Sequence, residues 1–309
     1  MTYIFGPVPS RRLGLSLGID LIPPKTCTYN CLYCQVGKTD RLTMEQKPYI
    51  PVEEAIKELD KTLDKVTPDT ITLAGSGEPT LNSEIDQVIS FIKKKSNIQV
   101  ALLTNGSLLW NEEVIERVSD ADIIMPTLST IFNNTFKMIH RPHEGLHLPV
   151  IIKGLTDLRN RYKGRILLEV VLLGGINDNE KELEGLKRVI DKISPDKIQL
   201  NTVVRPPSDP RARPLDMGQL EMIKDFFGER AEIIAHKVSG KKAGTYDSRA
   251  EVIIEMVKRR PVTAGDVADV LDIAHSEAEG ILKGLVIKGF IKKQEHEKKA
   301  FYTELRSTL

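Results

Sequence analysis

From Leu13 to about Val238, short apolar runs rich in β-branched residues alternate with longer segments whose apolar residues recur at spacings near 3.6. The short runs predict strands at 13–21, 69–75, 98–104, 120–128, 165–173, 197–204 and 231–238. The longer segments predict helices within 51–66, 81–95, 111–119, 148–163, 180–193 and 215–230. Six or seven such strand–helix repeats favour a parallel (β/α) barrel, partial or complete, over an open doubly wound sheet.

After a predicted loop at 239–248 the pattern changes. A helix at 249–260 is followed by a second that Thr263 caps and a third that Ser276 caps. Two short strand-like runs, FIKKQ and AFYTEL, then flank a charged turn. Three helices and a hairpin resemble a winged helix-turn-helix module. The predicted fold class is therefore α/β, with a barrel domain over 1–245 and a small C-terminal winged-helix domain over 250–309.

Composition sets limits on function. At roughly 100 to 200 residues per domain, 309 residues suggest about two domains, and a 40% hydrophobic content suffices for ordinary cores. The 44 Lys and Arg residues nearly balance 43 Asp and Glu residues, for a net charge of +1. This balance predicts no strong general affinity for nucleic acid, so a polyanion site would have to be a local patch.

All three cysteines lie within the stretch CTYNCLYC, residues 27–34. An odd number leaves one thiol unpaired in any internal disulfide scheme, and such close spacing cannot staple a large fold. No apolar run reaches membrane-spanning length, and the segment MTYIFGPVPSRR lacks the order of a secretory signal. We therefore expect a reducing cytoplasm, where clustered thiolates persist as metal ligands.

The spacing C-x3-C-x2-C supplies three thiolates, one fewer than a closed zinc or cubane iron site takes. It follows the first predicted strand, and here the chain resembles the radical S-adenosylmethionine (SAM) superfamily. The resemblance implies a [4Fe–4S] cluster on Cys27, Cys31 and Cys34, whose open iron chelates the methionine moiety of SAM. It also places Tyr33 near the adenine. The alternative is a structural zinc completed by a histidine from HRPHEGLH, namely His140, His143 or His147.

Further matches to the superfamily follow the next strands. The motif GSGEPTL stands where a glycine–glutamate motif contacts the amino group of the cofactor's methionine. Glycines allow close backbone approach, and a carboxylate can accept from an ammonium group. The resemblance implies cofactor contacts at the following residues: Gly75, Ser76, Gly77, Glu78, Asn105 and Ser129. For the last two, turn capping is an equally good interpretation.

Residues 5–210 look like a subgroup of iron–sulfur oxidoreductases allied to the wybutosine-synthesising tRNA enzymes. Those tRNA enzymes carry a second set of cysteines for an auxiliary cluster, whereas this chain places all three in one motif. This difference disfavours the wybutosine reaction, sulfur insertion from a sacrificed cluster and a cysteine-borne radical.

Three further polar residues fall at predicted strand ends. Arg141, Asn177 and Arg205 are candidate substrate contacts, because arginine forks often recognise carboxylate or phosphate groups. Solvated loops and surface ion pairs are the alternative interpretation.

The winged-helix module has nine basic and nine acidic residues between 251 and 300. Glu277 and Glu279 open its third helix, where they would repel phosphates in a major groove. Sequence-specific DNA binding is therefore disfavoured. Docking of a protein, or of RNA through the Lys-rich hairpin, is the preferred interpretation.

These observations predict a radical SAM enzyme of the iron–sulfur oxidoreductase or transferase type. A one-electron reductant of the flavodoxin or ferredoxin type would reduce its cluster. The cleaved cofactor would yield a 5′-deoxyadenosyl radical that takes a hydrogen from the substrate. We expect an RNA or protein substrate, docked by the C-terminal domain. The alternatives are a small metabolite and, from a different class, an iron–sulfur redox-sensing winged-helix regulator.

Overall fold

A computed structural model describes residues 2–235 and 249–305. The strands are β1 (Ile4–Ser10), β2 (Gly14–Ile19), β3 (Thr26–Cys27), β4 (Arg41–Leu42), β5 (Thr70–Leu73), β6 (Gln99–Thr104), β7 (Ile123–Pro126), β8 (Arg165–Val171), β9 (Lys197–Asn201), β10 (Ala231–Ile233), β11 (Ile291–His296) and β12 (Lys299–Glu304). The helices are α1 (Val52–Leu63), α2 (Ile85–Lys95), α3 (Glu112–Val118), α4 (Asn133–His140), α5 (Leu148–Arg161), α6 (Glu180–Ile193), α7 (Met217–Phe227), α8 (Arg249–Arg259), α9 (Ala264–Leu271) and α10 (His275–Ile287).

Eight strands form one sheet in the order β1-β2-β5-β6-β7-β8-β9-β10. The seven strands from β2 to β10 pair in parallel, and β1 adds to β2 in the antiparallel direction. Within the described residues β1 and β10 are the two edges and do not pair with each other. The predicted α/β fold of the parallel barrel type is confirmed, in its partial form.

The repeating pattern works because each strand buries both faces and each helix buries one. All four residues of β5 are buried, as expected for a parallel strand covered on both sides. In α6, the buried side chains recur at helical spacing, and the Asn179 side chain caps its first turn by accepting from the Glu182 amide. In the described part of the chain, no helix combines the length and apolar character that crossing a membrane requires.

Four elements were not predicted, namely β1, α4 and the two-residue strands β3 and β4. Strand β1 contains Pro7 and Pro9, and proline is uncommon within strands. An edge strand tolerates proline because its outer side forms no hydrogen bonds to a neighbouring strand. Helix α4 has only eight residues, too few for a clear period. The predicted strand at 231–238 is described as β10 up to Ile233. Its last three residues, the predicted loop at 239–248 and the proposed boundary between the domains lie outside the described residues.

The C-terminal part has the predicted winged-helix arrangement. Helices α8, α9 and α10 precede the β11–β12 hairpin, and Val262 adds an antiparallel bridge to Tyr302. The predicted cap at Thr263 is confirmed, because its side chain and that of Asp266 form a reciprocal capping box. The predicted cap at Ser276 is wrong: α10 begins at His275, two residues earlier than predicted, with Ala274 as its N-cap, so Ser276 lies inside the first turn.

The winged-helix part covers the edge strand of the sheet. Val8 of β1 and Leu15 of β2 pack against its hydrophobic core. The Arg259 guanidinium lies 4.8 Å from the centre of the Phe5 ring and donates to the Thr2 carbonyl at 3.0 Å. An uncovered edge presents unpaired backbone groups, so this docking protects β1 and fixes the position of the two parts.

We expect Thr263→Ala to destabilise the winged-helix part by about 1 kcal/mol, because it removes the side-chain acceptor of the capping box. Ser276→Ala is the matched control and should change stability by less than about 0.5 kcal/mol, since Ser276 does not cap α10. Thermal unfolding of the full chain, followed by calorimetry, checks both variants. An equal loss from Ser276→Ala would contradict the observed start of α10.

Candidate active site

The three cysteines lie at the carboxyl end of the parallel strands. Cys27 ends the short strand β3, and Cys31 and Cys34 follow in the loop that leads to β4. None of the three forms a disulfide with a described residue, and all three are partly buried. In parallel α/β sheets, this end collects the loops that carry reactive groups. The segment 27–34 is called the cysteine loop below.

Two distant segments hold the cysteine loop by its backbone. The Leu32 amide donates to the Ile139 carbonyl of α4 at 2.8 Å. From the segment after β9, the Ser208 hydroxyl donates to the Cys31 carbonyl at 2.7 Å, and the Asp209 amide donates to the Leu32 carbonyl at 3.1 Å. Because the anchors come from separate elements, the loop geometry depends on the assembled barrel.

His140, at the end of α4, lies against the cysteine loop. Its Nδ1 is 3.3 Å from the Cys31 sulfur and 3.5 Å from the Tyr33 hydroxyl. The imidazole packs among aromatic rings, with the Tyr29 centroid 4.9 Å away. Burial lowers the pKa of His140 to about 3, so the ring is neutral near pH 7. His140 therefore lies next to the Cys31 thiol. The sequence had suggested this proximity only in the alternative of a structural zinc site.

The donor set fits an iron–sulfur cluster. Burial, followed by the charge of Glu78, raises the pKa of Cys27 to about 12, and burial also raises the pKa of Cys31. A metal must therefore displace protons from these thiols when it binds. Among the described residues, no three His, Cys, Asp or Glu side chains form a group that could hold one metal ion. A cubane cluster differs from a single ion because each thiolate binds a separate iron.

The motif after β5 lies directly against the start of the cysteine loop. Gly75 has φ of +152°, and a Cβ on Gly77 would lie 2.0 Å from the Thr26 carbonyl oxygen. The Glu78 amide donates to that same carbonyl at 3.1 Å. The Ser76 hydroxyl donates at 2.7 Å to the buried carboxylate of Asp20. Glycine at 75 and 77 is therefore required by backbone contact and conformation.

Glu78 is buried and receives four hydrogen bonds. Its Oε1 accepts from the Thr80 amide at 3.1 Å and from the hydroxyls of Thr80 and Thr104, each at 2.6 Å. Its Oε2 accepts from the Asn105 amide at 2.7 Å. Burial raises the pKa of Glu78, although these hydrogen bonds oppose the shift. The carboxylate joins the ends of β5 and β6, and Oε2 retains a lone pair for another donor.

Asn105 connects the end of β6 to the cysteine loop. Its Nδ2 lies 2.7 Å from the Thr28 hydroxyl and 3.6 Å from the Cys27 sulfur. Its Oδ1 accepts from the Ser107 amide at 2.9 Å, which is a local turn cap. The capping role that the sequence suggested for Asn105 is thus present, together with a contact to the first thiol.

Two of the predicted polar contacts are occupied inside the protein. The Ser129 hydroxyl accepts from the Val171 amide at 3.1 Å. Asn177 is fully buried, and its Nδ2 donates to the carbonyls of Ser129 and Val171 while its Oδ1 accepts from the Leu173 amide. Both amide hydrogens of Asn177 are used, so its placement removes it from the substrate candidates.

Arg141 stabilises the support of the cysteine loop. Its Nη2 lies 2.6 Å from Asp209 Oδ2, and Arg211 shares that carboxylate. Hydrogen bonds from Arg211 and Arg141 hold the pKa of Asp209 well below its usual range. Since Asp209 also binds the cysteine loop through its amide, Arg141 joins the two segments that hold this loop. It has a structural partner that the sequence did not reveal.

A cavity of about 1060 Å³ extends from the motif that contains Gly75 and Gly77 to the winged-helix part. Its barrel wall includes Gly75 and Gly77, and its opposite wall includes Arg260 and Asp266. Arg205 joins the two walls: its Nη2 lies 2.9 Å from Asp266 Oδ1, and its Nε donates to the Pro261 carbonyl. Arg205 therefore lines the cavity, as a predicted substrate contact should, but its guanidinium is engaged by the second part.

Sequence reasoning missed a further group of charged residues in this cavity. Arg12, in the turn between β1 and β2, forms an ion pair of 2.5 Å with Glu169 of β8. Arg11 donates to the carbonyls of Ile234 and Ala235, just after β10. A glutamate inside the apolar run RILLEVVLL was a usable signal, because an unpaired buried carboxylate is costly.

Two protein families match separate stretches of the chain. The family described as "Radical SAM superfamily" matches residues 21–187. The description "Sugar-specific transcriptional regulator TrmB" matches residues 242–305, most of the winged-helix part.

Similar sequences occur in archaea and bacteria. The UPF0026 protein MJ1312 of Methanocaldococcus jannaschii is 31% identical over 309 residues, which are 98% of this chain and 96% of that protein. The UPF0026 protein of Synechocystis is 32% identical, over 77% of this chain and 92% of that protein. A Brachyspira hyodysenteriae protein named GTPase Obg is 38% identical over 94% of this chain, but the match spans only 43% of that protein.

Solved structures share the fold at low sequence identity. TYW1 with a bound lysine–pyruvate adduct has a TM-score of 0.55 at 17% identity, covering 74% of this chain and 76% of TYW1. A radical SAM methyltransferase from Sphaerobacter thermophilus has a TM-score of 0.53 at 17% identity, covering 71% of this chain and 65% of the other. These likenesses concern the barrel fold.

We expect Gly77→Ala to lower the iron bound after anaerobic reconstitution at least several-fold. Its Cβ would meet the Thr26 carbonyl and push the cysteine loop away from the motif. Gly280→Ala, on α10, is the matched control because no atom lies within 4 Å of the added Cβ. Iron analysis and the thermal midpoint of each variant provide the measurement. Normal loading in Gly77→Ala would show that the close contact is not needed for the cluster.

Proposed function

Because the chain belongs to the radical SAM superfamily, we propose that it uses a [4Fe–4S] cluster and SAM to take a hydrogen atom from a small molecule bound between the barrel and the winged-helix part. The single observation that carries the substrate proposal is the cavity of about 1060 Å³ whose walls come from both parts. Cavities near this size are typical of small-molecule sites.

In this proposal Cys27, Cys31 and Cys34 hold the cluster. A bound cluster supplies the electron that cleaves SAM into methionine and a 5′-deoxyadenosyl radical. The protein orients the cofactor and excludes water. The Ser208 hydroxyl and the Asp209 amide keep the cysteine loop in place, and Asn105 donates towards the Cys27 sulfur. In this proposal a reductant of the flavodoxin or ferredoxin type reduces the cluster, and the protein works in a reducing cytoplasm.

The cofactor pocket is proposed at the Gly75–Glu78 motif. Gly75 and Gly77 line the cavity, so a ligand can approach their backbone closely. The free lone pair on Glu78 Oε2 suits an ammonium donor, as the resemblance implied. Tyr33, within the cysteine loop, is the proposed adenine contact. Ser129 is the weakest of the proposed contacts, because its hydroxyl already binds the β8 backbone.

An RNA or protein substrate is the second candidate, and the exposed lysines of the β11–β12 hairpin favour it. Lys292, Lys293, Lys298 and Lys299 are exposed there, and Phe290 nearby is 54% exposed. Sequence-specific DNA binding stays disfavoured despite the TrmB match. Glu277 is exposed in the first turn of α10, the helix that would enter the major groove.

Reduced, iron-loaded protein should slowly release 5′-deoxyadenosine from SAM without any substrate. Cys31→Ala should abolish this release by removing one of the three thiolates, while the thermal midpoint shows that the barrel still folds. Chromatographic measurement of 5′-deoxyadenosine checks the expectation. Persistent cleavage in Cys31→Ala would remove the cysteine loop from the reaction.

The low-molecular-mass fraction of an anaerobic cell extract should stimulate this release. Gly265→Trp should suppress the stimulation and keep the slow release without substrate, because Gly265 lines the cavity and its added Cβ would contact only the Thr263 hydroxyl, at 3.6 Å. Gly280→Trp carries the same change on the outside of the winged-helix part and is the control. Stimulation by the RNA or protein fraction alone would favour the second candidate and contradict the small-molecule proposal.

A further inference from the structure

Four arginines meet where the cavity passes from the barrel to the winged-helix part. Arg11 and Arg12 come from the turn between β1 and β2, Arg205 follows β9, and Arg260 follows α8. This set is called the arginine cluster. All four residues line the same cavity although they come from three separate stretches of the chain.

Among the described residues, two carboxylates form ion pairs with the arginine cluster. Glu169 pairs with Arg12 at 2.5 Å. Asp266 is shared, at 2.9 Å from Arg205 and 3.3 Å from Arg260. Within residues 2–235 and 249–305, no carboxylate lies within ion-pair distance of Arg11. Four guanidinium groups thus face two carboxylates, which leaves an excess of two positive charges.

The other charges nearby do not cancel this excess. Glu255 also lines the cavity, but it pairs with both Lys258 and Arg259. Asp269 lines the cavity too, and burial together with the charge of Asp266 raises its pKa. Among the described residues, neither Glu255 nor Asp269 forms an ion pair with any of the four arginines.

Arg11 has unused donors in this setting. Both of its described hydrogen bonds, to Ile234 and Ala235, come from Nη1. Among residues 2–235 and 249–305, Nη2 and Nε therefore have no acceptor and can donate to a ligand. Burial, and then repulsion from Arg12, lowers the pKa of Arg11 to about 10. Its side chain therefore stays charged near pH 7, in a place where solvent compensates the charge poorly.

From this geometry we infer that the arginine cluster binds a phosphate monoester group of the small-molecule substrate. The inference rests on the proposed small-molecule function and assigns the chemical class of its substrate. A phosphate monoester carries close to two negative charges near pH 7, which matches the excess of two positive charges. Guanidinium forks match phosphate oxygens in shape, and Arg11 can add bonds without breaking an ion pair.

The test is binding, which needs neither the cluster nor the radical. Isothermal titration of the full chain with inorganic phosphate, and then with ribose 5-phosphate, should show saturable binding, whereas acetate at equal ionic strength should show none. Arg11→Gln and Arg260→Gln should each weaken phosphate binding about tenfold, since each removes a charge-assisted contact. Arg188→Gln, an exposed arginine on α6, is the matched control and should bind as the original chain does.

Competition separates the other anions. Excess SAM should leave phosphate binding unchanged, and a short RNA without terminal phosphates should not displace it. Displacement by SAM would assign the arginines to the cofactor carboxylate, and displacement by RNA would assign them to a nucleic-acid backbone. Either displacement overturns the inference. It is also overturned if the folded original chain does not bind phosphate. The release of 5′-deoxyadenosine, stimulated by the small-molecule fraction, tests the proposed function independently.

Discussion

The buried carboxylate of Glu78 is the interaction on which the rest of the site depends. It accepts hydrogen bonds from Thr80, Thr104 and Asn105, so it joins the motif after β5 to the end of β6. Asn105 then reaches Thr28 in the cysteine loop. A buried carboxylate without these donors would cost several kcal/mol, so the three segments are stable only together. The thiols are positioned by this network as well as by their own loop.

The open edge of the partial barrel explains the position of the second part. Among the described strands, β1 and β10 do not pair, which leaves a gap between them. Arg11 spans this gap through its bonds to residues after β10. The winged-helix part packs its apolar core against β1, and its Asp266 forms an ion pair with Arg205 of the barrel. A fold associated with DNA recognition thus serves here as a wall of an internal cavity, and fold alone does not define function.

The resemblance of the short motifs to the radical SAM superfamily predicted where the site residues lie in the fold. It predicted less about which groups their side chains contact. It brought Gly75, Gly77 and the cysteines to one end of the sheet, where the structure also has them. It did not indicate that Asn177 would be consumed by backbone carbonyls or that Arg141 would pair with Asp209. A residue type at a strand end shows that a polar group is near the site, but its orientation depends on neighbours from other strands.

By itself the sequence determined the alternation of the parallel strands from β2 to β10 with helices, the Thr263 cap and the grouping of the thiols. These features follow from hydrophobic period, local capping and spacing within a few residues, which do not need the rest of the fold. Only the tertiary structure decided that Arg12 meets Glu169, which is 157 residues away, and that Arg205 meets Asp266, which is 61 residues away. Periodicity records which side of an element is buried. It does not record which distant side chain lies opposite, because that depends on strand order, on the unclosed edge and on the docking of the second part.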